Sequence, residues 1–301
     1  MRSWFFALTG RQKSAMNPAK TVAQEYYEQV AEFQQRALRL GLGDVRGYYW
    51  YHTIDLGDGL VTPGMYDYRS SLPVFRFPET MSGMTVLDVG SATGFFAFEF
   101  ERRGARVISV ELPSLEALDR FPGQTTEQVV SKIGRMLESC RGEGAAPQAY
   151  SAAELYYALL EGPFQFCKQR LNSKVERCYS TVYELTPEKL GVAEFDLIFV
   201  GDVLVHTLYP LRALGALAPL CKGTLVLSQI APEQPAEPAM LYVGGENSAE
   251  DDVSWWLPNK PCFEQMLKKL GFRTVEEVGR NTGVLRPAGH PFDRAILHAT
   301  K

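Results

Sequence analysis

Apolar positions recur every three to four residues between Thr21 and Leu40, at Val22, Tyr26, Val30, Phe33, Ala37 and Leu40, and the pattern stops at Gly41 and Gly43. That spacing predicts an amphipathic helix ahead of any sheet. Gly47 to Pro78 keeps no such period. It is rich in Tyr, Trp, Asp, Gly and Pro, with turn signals at Gly57-Asp58-Gly59 and Thr62-Pro63-Gly64, and reads as an ordered loop covering a site. From Met84 onward, short β-branched runs alternate with helical stretches, the pattern of a parallel sheet with crossover helices. The predicted strands are Thr85–Val89, Arg106–Val110, Val175–Tyr179, Phe195–Val200, Thr224–Gln229, Thr274–Val278 and Ala295–His298. Leu112 to Asn172, about 60 residues, is too long for one crossover helix and predicts two or three. Ala231 to Pro238 predicts a mobile, Pro-rich loop beyond the fifth strand, and no internal repeat is present.

The fold class is therefore α/β. A helical and loop cap spans residues 1–80, and a Rossmann-like domain spans 81–301, with a helical insertion at about 113–172. With 301 residues, 46% hydrophobic and 22% charged, the chain is long and apolar enough for a large core. A net charge of -4 and a pI near 5.7 argue against a general polyanion binder, because nucleic-acid affinity rests on phosphate neutralisation by Lys and Arg. Cys140, Cys167, Cys178, Cys221 and Cys262 are odd in number and form no C-x-x-C pair, so neither a disulfide framework nor a zinc site is indicated and no metal is expected. The apolar patch Trp4 to Leu8 is too short for a secretory segment, and no run approaches the roughly 20 residues that span a bilayer. The expected setting is the cytoplasm, without a membrane partner.

Val86-Leu87-Asp88-Val89-Gly90-Ser91-Ala92-Thr93-Gly94-Phe95-Phe96 reads as a buried strand entering a small-residue turn and then a helix, the context of a nucleotide-binding turn. The spacing is not the G-x-G-x-x-G of dinucleotide sites, and an acid, Asp88, stands just before the turn. Twenty-three residues after Asp88, Glu111 ends the second strand, where a carboxylate can accept both hydroxyls of a ribose.

These residues resemble the class I methyltransferases, over roughly residues 80 to 301. The family pattern of an acid, then Gly-x-Gly-x-Gly, then an acid ending the second strand is present with Ala92 at the middle glycine. The resemblance implies a seven-stranded sheet with an antiparallel last strand and S-adenosyl-L-methionine as methyl donor, released as S-adenosylhomocysteine. It implies that Asp88, Gly90, Ser91 and Gly94 surround the methionyl part and Glu111 the ribose, that Thr181 and Val182 flank adenine, and that the strand ending at Gly201-Asp202 exits toward the donor methyl. More narrowly, Trp50 to Gly59, Thr62 to Arg69 and Trp255 to Asn259 are similar to segments of the tRNA wobble-uridine (carboxy)methyltransferases and their shorter bacterial relatives. Two features of the carboxylated-donor enzyme are missing. There is no lysine between Lys20 and Lys132, and Val205 stands where that enzyme has tyrosine before the strand-four histidine. Both departures favour plain adenosylmethionine.

A small polar metabolite is accordingly the expected acceptor, with the thioether of methionine or a related acid, on a dimethylsulfoniopropionate-type route, as the leading single candidate. A tRNA wobble-uridine modifier and a non-catalytic adenosylmethionine-binding regulatory subunit are the alternatives. Asp202 is expected at the site, at the carboxyl end of a central strand. His52 and His206 are candidate bases with pKa values near neutrality for an oxygen or nitrogen acceptor, or else structural histidines; a thioether needs no base. Tyr66, Asp67 and Arg69 could hold an amino acid by its two charges, or tie down the cover loop by their own ion pair. Trp255 and Trp256 are candidate cation–π faces or core residues. Tyr150, Tyr156, Tyr157, Phe164 and Phe166 in the insertion suit either a pocket lining or a homodimer interface.

Overall fold

A computed structural model describes residues 20–140, 149–246 and 253–301; the Trp4 to Leu8 patch and the side chain of Cys140 lie outside the described residues. Helix α1 (Val22–Arg39) begins where the periodicity placed it. Its start is fixed by a capping box in which the Gln24 N–H donates to Thr21 Oγ1 and the Thr21 N–H donates back to the Gln24 side chain. All seven predicted strands are present, as β1 (Thr85–Val89), β2 (Arg106–Glu111), β3 (Glu176–Tyr179), β4 (Phe195–Gly201) and β5 (Cys221–Gln229), followed after β6 (Met240–Tyr242) and β7 (Trp256–Pro258) by β8 (Thr274–Leu285) and β9 (His290–Thr300). They form one sheet in the order β3-β2-β1-β4-β5-β9-β8. Strands β1 to β5 are parallel, and β9 runs antiparallel to both its neighbours. This is the Rossmann-like seven-stranded sheet, and the order reverses between β1 and β4, which opens a crevice at their carboxyl ends.

Alternation along the strands divides the core in two. Leu87, Val89, Ile108, Val110, Ile198 and Val200 face α7 (Pro210–Leu217) and α8 (Lys260–Lys269) through residues such as Leu214 and Phe263. Val86, Val107, Leu197 and Phe199 face the opposite way, and there α2 (Phe95–Arg102) shares one cluster with Phe33 of α1 and with Trp50, Ile54 and Tyr68 of the cover loop. The insertion folds as α3 (Thr126–Cys140), α4 (Ala152–Tyr156) and α5 (Gly162–Arg170), joined by a wider π-helical turn over Tyr157–Glu161.

Three segments differ from expectation. Strands β8 and β9 run well past the predicted Val278 and Ala295 as a two-stranded arm, from Arg280↔Ala295 to Leu285↔His290, whose polar composition hid it. The short pair β6 and β7 is also new, with Tyr242 opposite Trp256. The Pro-rich loop expected to be mobile is held by buried Asn259, whose amide donates to the Pro235 and Glu237 carbonyls at 2.7 Å each.

The cover is a single paired unit. The two motif-bearing segments of the loop run side by side, with Met65 N–H bonded to the Trp50 carbonyl, Tyr66 N–H to Tyr51 and Thr53 N–H to Tyr66. Arg286, at the tip of the β8–β9 arm, reaches in to bond Thr53 Oγ1 at 2.5 Å and the Gly64 carbonyl. The close approach depends on Gly64, because a Cβ there would stand 1.9 Å from the backbone carbon of His52. Gly64→Ala should therefore push the two segments apart and destabilise the chain by about 3 kcal/mol or more. Thermal unfolding that left the variant within about 1 kcal/mol of the parent would show that the cover does not need this contact.

Candidate functional site

The carboxyl ends of β1, β2 and β4 meet beneath the loop from Gly90 to Gly94. Glu111 ends β2, and its carboxylate accepts the Ala92 N–H at 2.9 Å on one oxygen and the Leu112 N–H at 3.0 Å on the other. Ala92 supplies its N–H from a left-handed backbone conformation, φ 48°. Ser91 shares a 2.6 Å hydrogen bond with Ser109 on β2. Gly94 caps α2, and Gly90 lies so close to Val203, beyond β4, that a Cβ would meet its Cγ2 at 2.4 Å. Thr181 and Val182 follow β3 directly beside Glu111, whose carbonyl accepts the Ser180 N–H at 2.9 Å.

Asp88 is buried, and its Oδ2 has no hydrogen-bond partner among the described residues. Burial first, and the nearby charge of Glu111 second, push its pKa up from the ordinary 3.8 to about 7, against the pull of Arg177. Arg177 was not anticipated. It projects from β3 with only 3% of its side chain exposed and donates to Ser91 Oγ at 2.8 Å and to the Ala92 carbonyl at 3.3 Å. It lies 3.9 Å from Glu111, 3.6 Å from Glu161 of the π-helical turn, and over the ring of Phe164.

Beyond β4, Asp202 adopts φ 51°, its N–H donates to the Ser228 carbonyl at 2.9 Å, and its Oδ2 accepts from Arg294 Nε of β9 at 2.6 Å. Gly201 pairs with Ser228 one step earlier. Tyr66 and Tyr68 of the cover stand against this pair, and burial with the Asp202 charge raises both phenol pKa values, against the pull of Arg294. Arg294 is the second functional residue that the sequence did not signal.

His52, a candidate base or else a structural histidine, lies enclosed among Tyr68, Phe95 and Phe96, with its Nδ1 3.1 Å from Thr93 Oγ1, and burial pushes its pKa down to about 3. It is a neutral imidazole that ties the cover to the Gly90–Gly94 loop. Nδ1 of His206 donates to the Val253 carbonyl.

The remaining candidates do not converge. Asp67 and Arg69 pair with each other at 2.7 Å, half-exposed on the cover. Trp255 has no exposed surface and packs on Phe121, whereas Trp256 donates from its indole to the Leu208 carbonyl at 3.2 Å. A depression of about 610 Å³ between α3 and Ala149–Ala152 touches none of the strand ends, and the chemistry follows the orphaned polar atoms instead.

A family profile described as a methyltransferase domain matches residues 66–277. The chain belongs to that methyltransferase family. It is 32% identical over 80 residues to the magnesium-protoporphyrin O-methyltransferase of Rhodobacter capsulatus, covering 26% of this chain and 36% of that one. It is 32% identical over 90 residues to the tRNA U34 carboxymethyltransferase of Idiomarina loihiensis, covering 29% and 27%. The chain thus spans about a third of the first relative and about a quarter of the second. Among solved structures, it is similar to the 1,6-didemethyltoxoflavin-N1-methyltransferase of Burkholderia thailandensis, which holds S-adenosylhomocysteine, at 13% identity and TM-score 0.45, over 97% of this chain and 98% of that one.

The residues of this methyltransferase fit adenosylmethionine. The donor has a ribose for the free lone pairs of Glu111, and positive charge for a cluster in which Asp88, Glu111 and Glu161 face a single buried guanidinium. No helix among the described residues is long and apolar enough to cross a membrane.

The raised pKa of Asp88 sets the sign of a pH effect. Between about pH 4 and 7 the folded chain holds a proton on Asp88 that the unfolded chain has lost, so this group's contribution is full at low pH and disappears as pH rises through 7. The span is on the order of 4 kcal/mol at most. Asp88→Asn should flatten the fall in Tm between pH 4 and 7; an unchanged slope would assign it to other groups.

Proposed function

We propose that the chain transfers a methyl group from S-adenosylmethionine to a small polar metabolite, with the thioether of methionine or a related acid as the leading acceptor. The observation that carries this reading is the Glu111 carboxylate, oriented by Ala92 and Leu112 at the end of β2 beneath a small-residue loop, with the β4 exit and the aromatic cover closing over it. When bound, the donor supplies a sulfonium methyl that is displaced in line by an acceptor lone pair. The chain's own work is then alignment and exclusion of water. Glu111 fixes the ribose, the Gly90 and Gly94 backbone admits the methionyl part, and Val182 with Thr181 borders the adenine.

The thioether reading is supported by how the histidines are used. His52 is neutral, and its Nδ1 faces Thr93. A sulfur lone pair attacks without losing a proton, so no base is required. Similarity to the tRNA U34 carboxymethyltransferase favours RNA as a second acceptor class, but the net charge of -4 weighs against it.

Incubation with methyl-labelled adenosylmethionine and an extract of source cells tests both, since label should enter small polar compounds and not RNA. Label confined to RNA would reverse the choice. Glu111→Ala should weaken donor binding about 10- to 100-fold in calorimetry, the loss of hydrogen bonds to a charged group; unchanged affinity would remove Glu111 from the ribose. His52→Asn, whose amide can still reach Thr93, should keep the methylation rate within about threefold, below 1 kcal/mol in barrier. A hundredfold loss with both substrates still bound would indicate an oxygen or nitrogen acceptor that must be deprotonated.

A further inference from the structure

Asp202 combines three features that a purely structural carboxylate does not need. Its backbone is left-handed at a non-glycine position, where strain is tolerated chiefly when the site uses it. Only one carboxylate oxygen is satisfied: Oδ2 accepts from Arg294, while Oδ1 is buried with no hydrogen-bond partner among the described residues. And 27% of the side chain stays accessible while Oδ1 itself is covered, which places the carboxylate at the edge of a recess.

The recess adjoins the donor loop. Val203, the next residue, packs on Gly90, so Asp202 is the chain neighbour of a residue that touches the backbone flanking the donor. Its other walls are aromatic. The Tyr66 and Tyr68 rings lie 5.4 Å apart, and Phe292 closes on them at 5.3 and 6.0 Å. Arg294 bonds Asp202 and the Asp293 carbonyl and lies over the Phe292 ring, which fixes the carboxylate and occupies the guanidinium.

We infer that Asp202 is the acceptor-binding carboxylate, taking a protonated amine of the substrate on Oδ1 with Tyr66, Tyr68 and Phe292 around it. A buried carboxylate oxygen accepts and cannot donate, so its partner must carry N–H or O–H. Aromatic faces on several sides add attraction for a cation and none for a hydroxyl, which selects the amine. An acceptor carboxylate would find Arg294 already engaged by Asp202. The acceptor class is therefore a small molecule carrying an amino group, with the methylated atom elsewhere in it, free to meet the donor methyl beside Gly90.

This inference rests on the methyl-transfer reading above, and one experiment separates their failures. The labelled small product formed from adenosylmethionine and a polar cell extract is identified by mass spectrometry. Its unmethylated parent and the N-acetyl derivative of that parent are then assayed on the unmodified enzyme and on Asp202→Asn. Asparagine accepts the left-handed backbone and keeps the shape while removing the charge. The expected result is an amine-bearing product, an N-acetyl derivative poorer by at least about tenfold, and an Asp202→Asn variant whose KM for the parent rises at least about tenfold with donor affinity unchanged. A product without an amine, an N-acetyl derivative methylated equally well, an unchanged KM, or a variant that loses donor affinity would each overturn the assignment of Asp202 and leave methyl transfer intact. Absence of label from every small product would overturn the proposed function, and this assignment with it.

Discussion

Asp88, Glu111 and Glu161 share a single guanidinium, that of Arg177, beneath the loop joining β1 to α2. Buried charges are tolerated only when paired, and here the pairing is incomplete: among the described residues, Asp88 Oδ2, Glu161 Oε2 and two nitrogens of Arg177 have no hydrogen-bond partner. The excess is negative. A ligand bearing positive charge relieves it, whereas the two phosphates of a dinucleotide would aggravate it, so the cluster explains in electrostatic terms why a Rossmann-like turn lacking the G-x-G-x-x-G spacing suits a sulfonium donor. Burial first, and the Glu111 charge second, hold a proton on Asp88 up to near neutrality.

Arg177 also links the cluster to the insertion. It lies on the ring of Phe164 and beside Glu161, and Glu161 in turn accepts from Tyr179 at 2.7 Å and from Gln165 at 2.8 Å. The cover is attached from the other side through His52 and Thr93, and from above through Arg286. The attachments through Arg177 and through His52 reach the Gly90–Gly94 loop directly, so the residues that would hold the donor also position the insertion and the cover, while Arg286 ties the cover to the β8–β9 arm. Their aromatic packing supplies the bulk of the buried surface; these bonds supply its register.

The sheet was legible because its physics is local. Strands buried on both faces read as β-branched runs, and every predicted strand lies within the observed ones except Val175, one residue ahead of β3. Glu111 was legible from its spacing to Asp88. The three arginines that organise the site were not, because their partners are remote in sequence: Arg177 bonds Ser91 across 86 positions, Arg294 bonds Asp202 across 92, and Arg286 bonds Gly64 across 222. Only tertiary structure pairs such residues, and an arginine within a predicted strand, as Arg177 and Arg294 both are or nearly are, was the sole available cue. For Asp67 and Arg69 the sequence left a binding clamp and a mutual ion pair both open, and proximity in sequence let them pair with each other.

Strain is distributed with the same economy. Among the described residues, five non-glycine residues have positive φ, and Asp58, Arg76 and Asn172 sit in turns. The other two, Ala92 and Asp202, lie just beyond β1 and β4 on either side of the contact between Gly90 and Val203. For alanine the left-handed conformation costs about 1 kcal/mol, and glycine at that position would remove the cost. What the conformation accomplishes is specific: it turns the Ala92 N–H toward Glu111 and its carbonyl toward Arg177. A glycine could adopt the same angles without that cost, so the Cβ of Ala92 works against the conformation, and the bonds to Glu111 and Arg177 are what hold the loop in it. The departure from the family's middle glycine is therefore compatible with the site at a cost in backbone strain, offset by the two hydrogen bonds that the left-handed conformation makes possible.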